Sequence, residues 1–411
     1  MREPKLRFKT SDGKQFPNWE EKTFNDVADY KKGPFGSALK KEIFVSKSND
    51  TVKVYEQQNA ISKDWKLERY FVTNEYFQSK MKSFAVSGGD IIVSCAGTIG
   101  EMYELPDDAE EGIINQALMR IRIKKSVINS MIFRCVFDKM ISTEGVKISN
   151  GSALKNIPPF ADMKKQSVFI PSFPEQQKIS EFLSTINTVI EKQKETVFAW
   201  EERKKGVMQK LFSQEVRFKA VDGSDFSEWE EKKIDDLFYK VNERNNGQFG
   251  KDKWISVAKM YYQDEDKVTS NNIDTRTYVM RIGDMSFEGH PNKEFKYGRF
   301  VVNDIGDGII SELFPIYRHK ENYILKYWKY AIQVDSIMQK IYRKSITSSG
   351  ASSNKLDDDD FKRQSILVPC LAEQQKIADC LSSLDEVIEK QKATLAAWKE
   401  LKKGLLQQMF V

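Results

Sequence analysis

Cysteine and histidine are scarce in this chain of 411 residues, which has four of the first and two of the second. Cys95, Cys135, Cys370 and Cys380 form no Cys-x-x-Cys pair, so a zinc site is not expected and the thiols read as reduced. No run approaches the ~18 apolar residues of a membrane span. Met1-Arg2-Glu3-Pro4-Lys5 also lacks the apolar core of a signal peptide. A cytoplasmic protein with no membrane partner is expected. Catalytic signatures are missing too. Gly97-Thr98 comes without the lysine that reaches the phosphates in a P-loop. Asn156-Ile157-Pro158-Pro159-Phe160 looks like an amino-methyltransferase motif, but Ile157 stands where a side-chain amide must accept from the exocyclic amine. No glycine-rich loop for S-adenosylmethionine precedes it. His290 and His319 have no serine or cysteine at a triad spacing. The chain reads as non-catalytic, with no metal or cofactor of its own. Its 65 basic and 60 acidic residues give a net charge of +5, which permits a polyanionic partner without requiring one.

What the sequence has is repetition. Arg7-Phe8-Lys9, Asp12-Gly13, Phe16, Trp19 and Glu20-Glu21-Lys22 recur in order as Arg217-Phe218-Lys219, Asp222-Gly223, Phe226, Trp229 and Glu230-Glu231-Lys232. Glu175-Gln176-Gln177-Lys178-Ile179 recurs as Glu373-Gln374-Gln375-Lys376-Ile377, and the echo continues to Trp200 and Trp398. Between these frames the halves share little. The expected division is 1–170 and 216–368 as two domains, with 171–215 and 369–411 as two long helices.

The helices follow from spacing. Ile179, Leu183, Ile186, Ile190, Gln193, Val197 and Trp200 alternate steps of four and three, as do Ile377, Leu381, Leu384, Ile388, Gln391, Leu395 and Trp398. That is a heptad seam. Gln193 and Gln391 at matching places suit a register device, and Ser172 with Glu175 reads as a capping box. Plain core helices are the alternative. Because the chain between them must link the end of one helix to the start of the other, an antiparallel pair is expected. Strands are expected at Val52–Tyr55, Asp90–Cys95, Ala117–Ile123, Trp254–Val257, Asp284–Phe287 and Ile309–Tyr317, and helices at Ile128–Ile141 and Tyr323–Tyr342.

Several loops suit a polyanion: Lys31, Lys32 and Ser37 with Lys40 and Lys41; Thr98; Ser152 with Lys155; and Arg343, Lys344, Ser352 and Lys355. Lysines and hydroxyls on glycine-containing turns can hold phosphates, although the same composition fits any solvated loop. The run Asp357–Asp360 would repel them.

The tandem plan, with Pro-Glu-Gln-Gln-Lys-Ile from Pro174 and Ala-Glu-Gln-Gln-Lys-Ile from Ala372, resembles the DNA-specificity subunit of type I restriction–modification enzymes. Gly36-Ser37, Gly89-Asp90, Gly97-Thr98-Ile99-Gly100 and Asn115-Gln116-Ala117 look familial as well; the second half keeps only Gly283-Asp284. The resemblance implies an α+β pseudo-twofold tandem repeat. Two mixed α/β target recognition domains would be separated by an antiparallel coiled coil, each reading half of a bipartite duplex DNA target. It also implies two methyltransferase subunits and restriction–translocase subunits as partners, carrying S-adenosylmethionine, ATP and Mg. A tandem coiled-coil scaffold without DNA specificity is the alternative.

Overall fold

The computed structural model describes residues 4–148, 160–292, 295–348 and 353–410. Two long helices, Phe173–Phe212 and Leu371–Met409, hold 40 and 39 residues, about 60 Å each at ~1.5 Å per residue. By its contacts the chain divides into two compact units, Met1–Lys192 with Ala396–Val411 and Gln193–Leu395. Each unit thus contains a mixed domain and one end of each long helix. Within the second unit Gln193 donates to the Gln391 side chain at 2.7 Å, and Lys204 pairs with Asp385 at 2.6 Å. As one residue number rises its partner's falls, so these helices are antiparallel.

The repeated residues meet one another inside each unit. In the first, the Arg7 guanidinium donates to both carboxylate oxygens of Glu175, at 3.1 and 2.8 Å, and to the Pro17 carbonyl. In the second, Arg217 does the same to Glu373, at 3.2 and 2.9 Å, and to the Ser227 carbonyl. Gln176 accepts from the Asn129 N–H and donates to the Val127 and Pro171 carbonyls; Gln374 accepts from Ile324 and donates to Pro369. Lys178 and Lys376 reach the carbonyls of Lys9 and Lys219. Ile179 and Ile377 enter the two domain cores. The glutamate and first glutamine of each motif are buried, which is tolerable only because every one is partnered. Glu20–Thr23 pairs antiparallel with Ser167–Ile170, and Glu230–Lys233 with Ser365–Val368, closing each domain beside its helix start.

The far ends of the helices complete the pattern crosswise. Phe410 packs edge-on against Trp19 at 5.9 Å, and Phe212 against Trp229 at 6.3 Å. Leu6 donates to the Gln408 carbonyl at 3.1 Å, as Val216 does to that of Lys210 at 3.2 Å. The second contact lies on continuous chain; the first joins the two termini.

Beneath this frame lies a shared sheet that the sequence did not reveal. In the first unit, β1 (Ala28–Lys32), β2 (Ile91–Ser94), β3 (Met102–Glu104) and β4 (Leu118–Ile123) form an antiparallel sheet in the order β1-β4-β2-β3. In the second, β5 (Phe238–Val241), β6 (Met285–Glu288), β7 (Arg299–Val302) and β8 (Ile316–His319) repeat that order as β5-β8-β6-β7. Arg122 on β4 is bidentate to buried Asp90, and Arg318 on β8 to buried Asp284. The Asp284 carboxylate, in turn, holds the Arg318 guanidinium well above its ordinary range. Gly112 and Gly308 lie equally close to neighbouring backbone: a Cβ there would meet the Lys53 carbonyl at 2.7 Å or that of Lys253 at 2.4 Å. The expectation that the middles do not match is therefore corrected.

Three local expectations also change. Ile309–Tyr317 is two strands, Gly308–Ser311 and β8, with a turn between them. Tyr323–Tyr342 is two helices, Leu325–Ala331 and Asp335–Ser345. No capping box forms at Ser172: Glu175 is taken by Arg7, and the Ser172 hydroxyl is buried with no partner among the described residues. The aspartate run starts a helix, with Asp357 accepting from the Asp360 N–H at 2.9 Å and Asp358 from the Tyr317 hydroxyl at 2.8 Å.

Candidate nucleic-acid interface

In the first unit three loops hang from one short stretch, Asn115–Leu118. Asn115 turns its side-chain oxygen back onto the Ala117 N–H at 3.0 Å, an Asx turn that leaves Gln116 exposed at the tip. The Gly33 N–H donates to the Leu118 carbonyl, and the Cys95 N–H to that of Ala117, each at 2.8 Å. A Cβ on Gly33 would lie 1.8 Å from the Asn115 oxygen, so no other residue fits this crossing. The loop carrying Lys32 and Ser37 and the loop carrying Thr98 are thereby brought to the same end of the sheet. Cys95, at the root of the second loop, has its thiol pushed up to about 12 by burial, with Lys32 opposing; it is no reactive thiolate.

The loop after β1 is rigidly held. Pro34 and Leu39 are buried, the Tyr76 hydroxyl donates to the Ala38 carbonyl at 2.8 Å, and Gly36–Ala38 forms a 3-10 turn. Between those anchors Phe35 is 89% exposed. Lys31 lies over the Phe84 ring at 4.6 Å, while Lys32, Ser37, Lys40 and Lys41 face solvent. None of these four lysines has a carboxylate partner among the described residues.

In the second unit the corresponding place is built from paired charges. Arg244 binds Glu312 at 2.5 Å and Arg276 binds it at 3.1 Å; Arg281 binds Glu243 at 2.5 Å and Asp307 at 2.8 Å. The two arginines hold Glu312 below the usual carboxylate range. Leu313, in the turn that answers to Gln116-Ala117, is 81% exposed. Arg343 and Lys344 sit exposed in the last turn of Asp335–Ser345. Lys355 lies on Asn354–Leu356, which pairs with Ile346–Ser348. The structure thus groups these three around one hairpin. Ser352, Ser152 and Lys155 lie outside the described residues. His290 is exposed and contacts Glu288 at 2.6 Å, and His319 is stacked among Phe238, Tyr323 and Trp328.

Of the helix residues named from the seam, Ile179 and Leu183 lie in the first domain core with Met409 and Phe410, and Ile377 and Leu381 in the second. Ile186, Ile190 and Ile388 are buried, whereas Leu384, Trp200 and Trp398 are half-buried. Sequence reasoning missed Phe35, Gln116, Arg244, Arg276, Arg281 and Leu313 as surface features. One signal was present: Gly33-Pro34-Phe35-Gly36 is echoed by Gly247-Gln248-Phe249-Gly250. Among the described residues no metal-ligating cluster exists and no helix is long and apolar enough to cross a membrane.

Comparison with known proteins fits this geometry. The family model for the type I restriction modification DNA specificity domain matches residues 17–197 and again 226–397. Among solved structures, a chain from work on complex assembly and conformational transition of the type I R-M system is 14% identical. It covers 96% of this chain and 98% of that one with a TM-score of 0.57, a shared fold. The S subunit of a type I restriction-modification system from M. genitalium is 14% identical over 100% and 99% of the two chains, with a TM-score of 0.47. The HsdS subunit from Thermoanaerobacter tengcongensis is 14% identical over 97% of each, with a TM-score of 0.44. The chain belongs to the type I restriction modification DNA specificity family and, carrying that domain twice, is the DNA-specificity subunit of such a system.

Proposed function

We propose that each unit reads one half of a bipartite duplex target and that the chain directs adenine methylation or cleavage performed by other subunits. The observation that carries this is a repeated frame and sheet whose loops differ in chemistry. Lysines with no ion pair among the described residues and an exposed ring occur in one unit, and paired arginines with an exposed leucine in the other. One scaffold with two dissimilar surfaces suits two dissimilar half-sites, read by side chains at base edges in the major groove while lysines meet phosphates. The antiparallel helices would then set the number of unread base pairs between the half-sites. The specificity role itself is non-catalytic.

Two methyltransferase subunits would carry S-adenosylmethionine, and restriction–translocase subunits ATP and Mg. A cytoplasmic location follows from where the DNA is. The test is methylome sequencing of a host with and without this chain. Loss of N6-methyladenine at one split motif on deletion is expected. An unchanged methylome in cells that express the chain would favour the scaffold reading.

A further inference from the structure

We propose that Phe35 is a stacking wedge, whose ring enters the base stack of one half-site while the lysines around it hold the flanking phosphates. The inference rests on the reading of the first unit as a DNA-reading domain, and it names how one loop does so. Phe35 is 89% exposed, and the backbone on either side of it is anchored. Pro34 before it and Leu39 after it are both buried, and Gly33 is locked against the Asn115 carbonyl. An aromatic ring held out in water by an anchored loop has its face free for a partner.

The surrounding charge says which partner. Lys31, Lys32, Lys40 and Lys41 flank Phe35 in sequence, with no acidic residue from Lys31 to Lys41 and no ion pair to any of the four among the described residues. Ser37 adds an exposed hydroxyl. A polyanion that also presents apolar faces for stacking is nucleic acid. Apolar wedges between base steps and aromatic side chains against bases are both established ways to grip it. A base that is to be methylated must leave the stack, and a ring inserted at a neighbouring step lowers that cost. The second unit lacks the device. Phe249, at the echoing position, is half-buried, and the Arg281 guanidinium lies 5.7 Å from its ring centre.

The experiment uses the chain in complex with its methyltransferase subunits. The probe is a duplex carrying the split motif whose methylation depends on the chain, with 2-aminopurine replacing, one at a time, the bases that flank the target adenine of each half-site. Fluorescence is expected to rise at one step of one half-site with wild type. It should be lost with Phe35→Ala, together with about tenfold or more of the affinity, and be retained with Phe35→Trp. Probes in the other half-site should respond equally to all three proteins. Phe35→Ala that keeps both signal and affinity, or a wild-type complex that brightens no probe, overturns the wedge alone. Phe35→Ala that sheds methyltransferase subunits and leaves the DNA signal intact assigns the ring to a protein contact instead. A wild-type complex that selects no split duplex at all overturns the DNA-reading assignment beneath it.

Discussion

The two units present opposite charge patterns on one backbone plan. In the first, Lys32, Lys40 and Lys41, on either side of the exposed Phe35 in sequence, have no ion pair among the described residues. In the second, Arg244, Arg276 and Arg281 are already held by Glu312, Glu243 and Asp307. Unpaired ammonium groups release counterions when they meet phosphates, so they give affinity that falls with salt. Guanidinium groups fixed by carboxylates are pre-oriented forks, better suited to edges than to phosphates. The difference teaches that the frame fixes where a half-site is read, while the loops fix how.

The frame itself can be broken unequally. Arg7→Ala strands the fully buried Glu175 and should cost about 3 kcal/mol in urea unfolding, the scale for a severed buried pair. Arg217→Ala should cost ~1 kcal/mol less, because the Trp229 indole still donates to Glu373 at 3.0 Å, whereas the Trp19 indole nitrogen has no partner among the described residues. Equal losses would show that the two joints do not differ as described.

Acid should separate the units next. His319 lies where the first unit has Ile123, and burial lowers its pKa to about 3, below the ordinary histidine value of 6.5. The unfolded chain therefore binds the extra proton first. The stabilising contribution is complete above the unfolded value and is lost as pH falls from 6.5 towards 3. The loss is on the order of 3 kcal/mol, and His319→Phe should flatten it. In an NMR titration the His319 ring should show no protonation shift through neutral pH; a His319 that titrates near 6 breaks the comparison.

Smaller effects belong to the loops. Gly33→Ala forces the loop off Asn115 and should weaken binding through one half-site by about tenfold, from strain of ~1–3 kcal/mol, while binding through the other half-site is unchanged. Lys40→Ala with Lys41→Ala should lower the slope of log affinity against log salt by about 2, at roughly 0.9 for each phosphate no longer neutralised. Arg244→Ala should leave that slope nearly unchanged.

Sequence reading reached the frame and stopped at the sheet. Glu-Gln-Gln-Lys-Ile could be seen twice because its glutamate, glutamine, lysine and isoleucine each have a fixed partner in both units, which leaves little room for change. Asp90 with Arg122 and Asp284 with Arg318 are as closely matched in space. Yet each is a pair of common residues on separate strands, with no periodicity to mark it. Helix starts misled for a related reason. Ser172 and Glu175 have the spacing of a capping box, but a guanidinium from the opposite end of the domain competes for the carboxylate and wins. The Gly-x-Phe-Gly echo was legible yet displaced, because the second unit's loop is longer and shifts it out of phase with the frame. Exposure of Phe35 was not legible at all; nothing in Pro34-Phe35-Gly36 says that its neighbours are buried and it is not.

The most direct test of the central claim is to exchange residues 1–170 for the corresponding domain of a relative and sequence the methylome of a host carrying the hybrid. The account predicts that one half of the split motif changes while the other half and the spacing between them remain. A hybrid that is expressed and active but alters both halves, or neither, would contradict it.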